Sequence, residues 1–218
     1  MTDNTESTLS PDPTEPLANP SSLTKGVSEE RWHELANGVK EERWFKTGDF
    51  AFHRLDGPAL VRYSASSKIK LEEWYIDGKR HRTDGPAHVE YADDGKMTAQ
   101  TWLLNDVIHR DGGPAVLTTD NEEWRQHGEL HRVDGPALIG RSEGKLVLEV
   151  WFSHGQVHRD GGPAWVTDTT EDWYQHDKRH RVNGPARIVK DYHGKVITQI
   201  WFTKGMMMAY RQGNDVVI

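Results

Sequence analysis

The chain has 218 residues and no cysteine, which excludes disulfides, thiolate nucleophiles and cysteine-ligated metal sites. Its formal charge of −7 is uneven: residues 1–30 carry −5 (Asp3, Glu6, Asp12, Glu15, Glu29 and Glu30 against Lys25), and the rest carries −2 from 26 basic and 28 acidic side chains. A near-neutral body excludes the basic excess of a general nucleic-acid binder. A hydrophobic fraction of 35% beside nine Trp, twelve His and twenty Gly points to a thin architecture rather than a deep core.

Residues 1–28 are rich in Ser, Thr and Pro, lack apolar periodicity and read as a disordered acidic tail. They carry neither the basic nor the apolar region of a secretory signal. No later stretch approaches the roughly 18 apolar residues of a membrane span. The expectation is a soluble cytoplasmic protein without membrane contact. Residues 29–40 suit one short helical cap, with Ser28 as N-cap and Gly38 as stop.

From there the chain repeats. The string His-Arg-x-(Asp/Asn/Gly)-Gly-Pro-Ala starts at His53, His81, His109, His131, His158 and His180, with spacings of 28, 28, 22, 27 and 22 residues. Trp44, Trp74, Trp102, Trp124, Trp151, Trp173 and Trp201 run in step with it, and four residues after each comes Gly or Asp. Pairs such as Asp77-Gly78, Asn105-Asp106, His127-Gly128 and His154-Gly155 suit two-residue hairpin loops that tolerate positive φ. Pairing outward from those loops sets each Trp opposite the next His, and predicts an indole–imidazole stack on one sheet face. Gly-Pro then breaks the ladder. A strand opening on Ala follows, as in Ala59, Val61, Tyr63 and Ala87, Val89, Tyr91.

The interval from this Ala to the next Trp is 15, 15, 9, 14, 9 and 15 residues. Losing six residues preserves strand facing, whereas the single 14 predicts a changed turn or a bulge near Arg141–Lys145. In the last copy Met208, within Met206-Met207-Met208, replaces the His, so residues 201–218 read as a degenerate C-terminal cap. The fold expected is all-β, an elongated array of six to seven antiparallel hairpin repeats over 29–218.

The run Trp74-Tyr-Ile-Asp-Gly-Lys-Arg-His81, then Gly85-Pro-Ala, then Tyr91-Ala-Asp-Asp-Gly-Lys96, resembles the membrane occupation and recognition nexus (MORN) repeat. It is nearest to the bacterial and viral variant patterned Tyr-x-x-x-Gly-Lys-x-His-Gly-Pro, and the resemblance covers about residues 41–208. Here three residues separate His from Gly-Pro, so the family's register need not transfer across that turn. The resemblance implies an interaction scaffold, and some related bacterial repeats are antitoxin-like.

Three candidate surfaces follow. The position after each Trp (Phe45, Tyr75, Leu103, Phe152, Tyr174, Phe202) points away from the Trp face. Either it forms an aromatic surface for a protein partner or for self-association, or a rolled sheet buries it. The ladder of His81, Arg82, His109, Arg110, His131, Arg132, His158 and Arg159 suits a phosphate-bearing small ligand or signalling nucleotide. Its framework alternative has each Arg bonding the Asp of its own turn. The additional His127, His154 and His176 form a short row beside the Trp hairpins. Ladder imidazoles stand roughly 10 Å apart, two strand spacings, too far to share a metal ion. Six equivalent His-Arg sets, with no nucleophile or phosphate-loop motif, argue against catalysis. No cofactor is expected. A non-catalytic protein-interaction module is the first expectation. The ligand binder and an antitoxin- or immunity-type inhibitor of an enzyme are the alternatives.

Overall fold

The computed structural model describes residues 28–34, 38–213 and 215–217. Among these the fold is all-β, and sixteen strands form one antiparallel sheet in chain order. It begins with Ser28–Glu34, Lys40–Lys46, Leu60–Tyr63, Ile69–Glu73, His88–Tyr91, Met97–Thr101, Val116–Thr118 and Asn121–Glu123. It continues with Leu138–Ser142, Lys145–Val150, Trp165–Thr167, Thr170–Asp172, Arg187–Lys190, Val196–Thr203, Met206–Gln212 and Asp215–Val217. No helix among the described residues is long and apolar enough to cross a membrane.

Between these strands the chain leaves the sheet five times, at Trp74, Trp102, Trp124, Trp151 and Trp173, to form two-stranded hairpins such as Tyr75–Ile76 with Lys79–Arg80. Each closes through two residues at positive φ, for example Asp77 (48°) and Gly78 (77°), or His154 (46°) and Gly155 (74°). This is the loop the spacing predicts. Neighbouring hairpins are hydrogen-bonded to one another. The Arg82 N–H donates to the Leu103 carbonyl at 3.1 Å, and the Asp106 N–H to the Arg80 carbonyl at 2.9 Å. The same pair of bonds recurs at later steps, from Arg132 to Phe152 and from Gly155 to Leu130.

The turns explain the interval of 14 residues. Three long copies return through three-residue loops ending at positive φ on Ser67, Gly95 and Gly194. The copy at Ser142 and Lys145 returns through two residues, Glu143 (φ 51°) and Gly144 (φ 78°), one fewer.

Of the span 29–40 expected as helix, the described residues 29–34 and 40 are strand instead. Ser28–Glu34 is a strand paired residue for residue with Lys40–Lys46, from Ser28 opposite Lys46 to Glu34 opposite Lys40. An isolated short helix is marginal in water, whereas the edge of Lys40–Lys46 offers a full ladder to the same backbone. The expected tail lies outside the described residues except for Ser28. At the other end Val196–Thr203 runs straight through Trp201 into Met206–Gln212, so this last hairpin stays in the main sheet.

The core is thin. Ala59, Ala87, Ala115, Ala137, Ala164 and Ala186 are each fully buried, and Leu103, Glu41 and Val150 are the bulkiest fully buried side chains. Ala59, Ala87, Ala115, Ala137 and Ala164 are each clamped by backbone bonds on both sides. The Trp124 N–H donates to the Ala137 carbonyl at 2.7 Å, and the Ala137 N–H to the Val150 carbonyl at 2.9 Å.

Candidate functional site

The register predicted for Trp and His holds in the backbone. The His N–H donates to the carbonyl of the preceding Trp at 3.0–3.1 Å in all six copies, from His53 on Trp44 to His180 on Trp173. The predicted indole–imidazole stack does not form. The next residue, Arg, folds back over the ring, and its Cζ lies 3.8–4.1 Å from the indole centre in Arg54–Trp44, Arg82–Trp74, Arg110–Trp102, Arg132–Trp124, Arg159–Trp151 and Arg181–Trp173.

Each guanidinium is enclosed by its own loop. Nη1 donates to the carbonyl of the loop proline at 2.9–3.4 Å, as Arg110 does to Pro114 and Arg82 to Pro86. Where the loop reads Arg-x-Asp, Nε also donates to that carboxylate: Arg54 to Asp56 (2.9 Å), Arg82 to Asp84 (2.8 Å) and Arg132 to Asp134 (3.0 Å). The adjacent guanidinium holds each of these three carboxyls below the usual aspartate value. The glycine before the proline touches the other side. A Cβ on Gly135 would stand 2.7 Å from Arg132 Cζ, and one on Gly85 2.8 Å from Arg82 Cζ. Gly-Pro is thus a seat for the arginine as well as a strand breaker.

Two loops read His-Arg-Asp-Gly-Gly-Pro and differ. Their first glycines, Gly112 and Gly161, take positive φ (71° and 75°). Their Asp faces the His instead, with His109 to Asp111 and His158 to Asp160 at 3.5 Å. Arg110 and Arg159 therefore have no carboxylate partner among the described residues.

The imidazoles serve the next hairpin. Nδ1 of His53, His109 and His131 accepts the backbone N–H of Asp77, His127 and His154 at 3.1–3.2 Å. The extra histidines pack against ladder imidazoles: His131–His154 stack at 4.2 Å between ring centres, and His109–His127 at 4.8 Å and His158–His176 at 4.4 Å meet at a tilt. Burial, then the neighbouring His154, lowers the pKa of His131.

The six residues after the Trp positions are not an exposed stripe. Phe45 and Leu103 are buried, and Tyr75, Phe152, Tyr174 and Phe202 are half-buried. Phe45 stacks on Phe52 at 4.9 Å, Phe52 meets Tyr75 at 5.2 Å, and Arg179 caps Tyr174 and Phe202. Contacts with adjacent side chains cover much of this side.

Exposure moves to the loops. Val133 is 91% and Val182 80% exposed at the tips, and clefts open between successive loops. One of about 360 Å³ includes Arg82, Trp102 and Arg110; one of about 250 Å³ includes Arg110, Trp124 and Arg132; one of about 450 Å³ includes Arg132, Trp151 and Arg159. The sequence marked the arginines but not the tips, because the x position varies from copy to copy. No family model, curated protein or solved structure matches this chain.

Proposed function

We propose that the chain is a non-catalytic protein-interaction module, a MORN-like repeat array whose partner lies along the row of loop clefts. The observation that carries this reading is the equivalence of three successive clefts, each bounded by one tryptophan and the arginines of two consecutive loops. A repeated cleft suits a partner with the same repeat. Two strand spacings give a pitch of roughly 9.6 Å. One turn of polyproline II rises about 9.3 Å over three residues. A proline-rich segment would therefore present one side chain per cleft, in the manner of aromatic-lined grooves that take such segments.

The test is fluorescence anisotropy with a labelled nine-residue polyproline peptide and a Gly-Ser peptide of equal length. Selective binding of polyproline, weakened about tenfold by Val133→Asp at an exposed tip, supports the reading. Equal binding of both peptides, or indifference to Val133→Asp, defeats it.

A second reading has one specific foothold. Arg110 and Arg159, without a carboxylate partner among the described residues, leave Nε donors for a phosphate-bearing ligand on the ladder. A thermal-shift series with inorganic phosphate and nucleotides checks it, because binding to the native state raises stability. No shift at ~10 mM ligand, where a millimolar Kd would saturate, removes it.

A further inference from the structure

One corner of the sheet departs from the repeat. Trp165, Asp172 and Arg187 stand directly opposite one another on three neighbouring strands. The hairpin residues Tyr174 and Arg179, with Thr167 and Thr170, complete a cleft of about 240 Å³. It shares no residue with the loop clefts. At the positions of Trp165 and Arg187 the other copies carry Leu60, His88, Val116 and Leu138.

The charges in this cleft do not close. Asp172 is 4% exposed. Arg179 Nε donates to its Oδ1 at 3.0 Å, but Arg187 Nη1 comes only within 3.8 Å of Oδ2, too long for a hydrogen bond. Among the described residues the Arg187 guanidinium makes no other polar contact, so its donors remain unmatched. The equivalent place at Glu73 is closed by contrast. His88 bonds Glu73 at 2.9 Å and Glu90 at 3.2 Å, and Arg80 reaches Glu73 at 4.0 Å and Asp106 at 3.5 Å. Glu41 likewise receives hydrogen bonds from both Arg43 and Arg62.

Two guanidiniums and one carboxylate leave the Asp172 cleft one positive charge in excess. A planar fork of donors matches a carboxylate or phosphate. Trp165, 36% exposed, offers an indole for a flat ring to pack on. The volume is below the roughly 300–1,000 Å³ of drug-sized sites, which limits the ligand to about one ring. We propose that this cleft binds a small planar anion, a single aromatic ring bearing a carboxylate or phosphate, with the anion on Arg187 and the ring on Trp165.

The test is calorimetric titration of the full chain with benzoate, phenyl phosphate and neutral benzamide, with thermal melts in parallel. At least one anion is expected to bind about tenfold more tightly than benzamide, and the tighter of the two identifies the anionic group. Arg187→Gln and Trp165→Leu are each expected to weaken it about tenfold. Arg187→Lys keeps the charge but loses the fork, so it weakens binding with the melting temperature unchanged. Heats absent for both anions at ~10 mM, benzamide binding as well as they do, or anion binding unaffected by Arg187→Lys would each overturn the proposal.

Discussion

Arg132 lies between Trp124 and Gly135: its Cζ is 4.0 Å from the indole centre, and a Cβ on Gly135 would come within 2.7 Å of that Cζ. One side chain thus joins a hairpin to the loop that follows it, with Asp134 and the Pro136 carbonyl holding its edge. The seat between indole, glycine and proline carbonyl recurs with the other five ladder arginines, and a loop carboxylate joins it again at Arg54 and Arg82, so it is framework before it is anything else.

The glycine carries the first prediction. Gly135 does not have positive φ, so alanine is compatible with its backbone. Gly135→Ala is expected to cost about 1 kcal/mol by lifting the guanidinium off the indole, the order of one partly exposed cation–π contact. Arg132→Ala should cost a similar amount. In the double variant the alanine penalty should nearly vanish, because nothing remains for the new methyl to displace. Chemical denaturation of the four proteins measures this. Additive penalties would show that the glycine serves some other need.

The buried alanines give a second test. Ala137 is fully buried and held on both sides by backbone bonds to Trp124 and Val150. Ala137→Leu is therefore expected to destabilise by about 1–3 kcal/mol through overpacking. Leu60 and Leu138 show that the sheet takes leucine one residue further on. A melting temperature unchanged in Ala137→Leu would mean that the strands can part there.

Much of this design is legible in the sequence, and the gaps have physical causes. Hairpin loops, the opposition of Trp and His, and a changed turn or bulge near Arg141–Lys145 follow from counting, because ladder pairing obeys a period of two. The stacking partner does not follow. Arg132 comes just after the last residue paired within its own hairpin, its bond to the Phe152 carbonyl belongs to the next copy, and the only trace is a glycine three residues on, with no Cβ to block the side chain. Residues 29–34 read locally as helix because their cap and composition are visible, while the vacant edge beside Lys40–Lys46 is not. Alternation places Phe45 and Leu103 opposite the Trp face, but whether hairpins cover that face is decided by contacts between copies. Trp165 is out of step with the seven repeated tryptophans, and that was its only mark.

The histidines predict two pH responses of opposite sign. His131 accepts the His154 N–H through Nδ1, which requires the neutral ring, and burial and then His154 lower its pKa from 6.5. The unfolded chain then takes up the proton more readily, so this contribution is complete above about pH 6.5 and is lost as pH falls through the depressed folded value. His131→Asn retains an acceptor but does not titrate. Its thermal stability is expected to fall less than wild type between about pH 7 and 5.5, and equal slopes would rule the contribution out.

His88 works in the other direction. Its hydrogen bond to the buried Glu73, above all, raises its pKa from 6.5. The charged pair is therefore fully stabilising below pH 6.5, and that contribution is lost as pH rises through the raised folded value. Burial alone would raise the Glu73 pKa, but hydrogen bonds from His88 and Tyr75 overcome it and the net shift is downward from 4.5. Its share is present above 4.5 and disappears as pH falls through the lowered value. His88→Gln should remove the loss of stability on raising pH above 6.5 while leaving the acid limb from His131 in place. Glu73→Leu, which leaves His88 half-buried without its nearest carboxylate, should cost about 3 kcal/mol at pH 6 and less at pH 8, where a neutral imidazole no longer needs the charge. Melts of both variants across this range decide it: a Glu73→Leu penalty that does not shrink with pH would show that packing, not the ion pair, holds this part of the sheet.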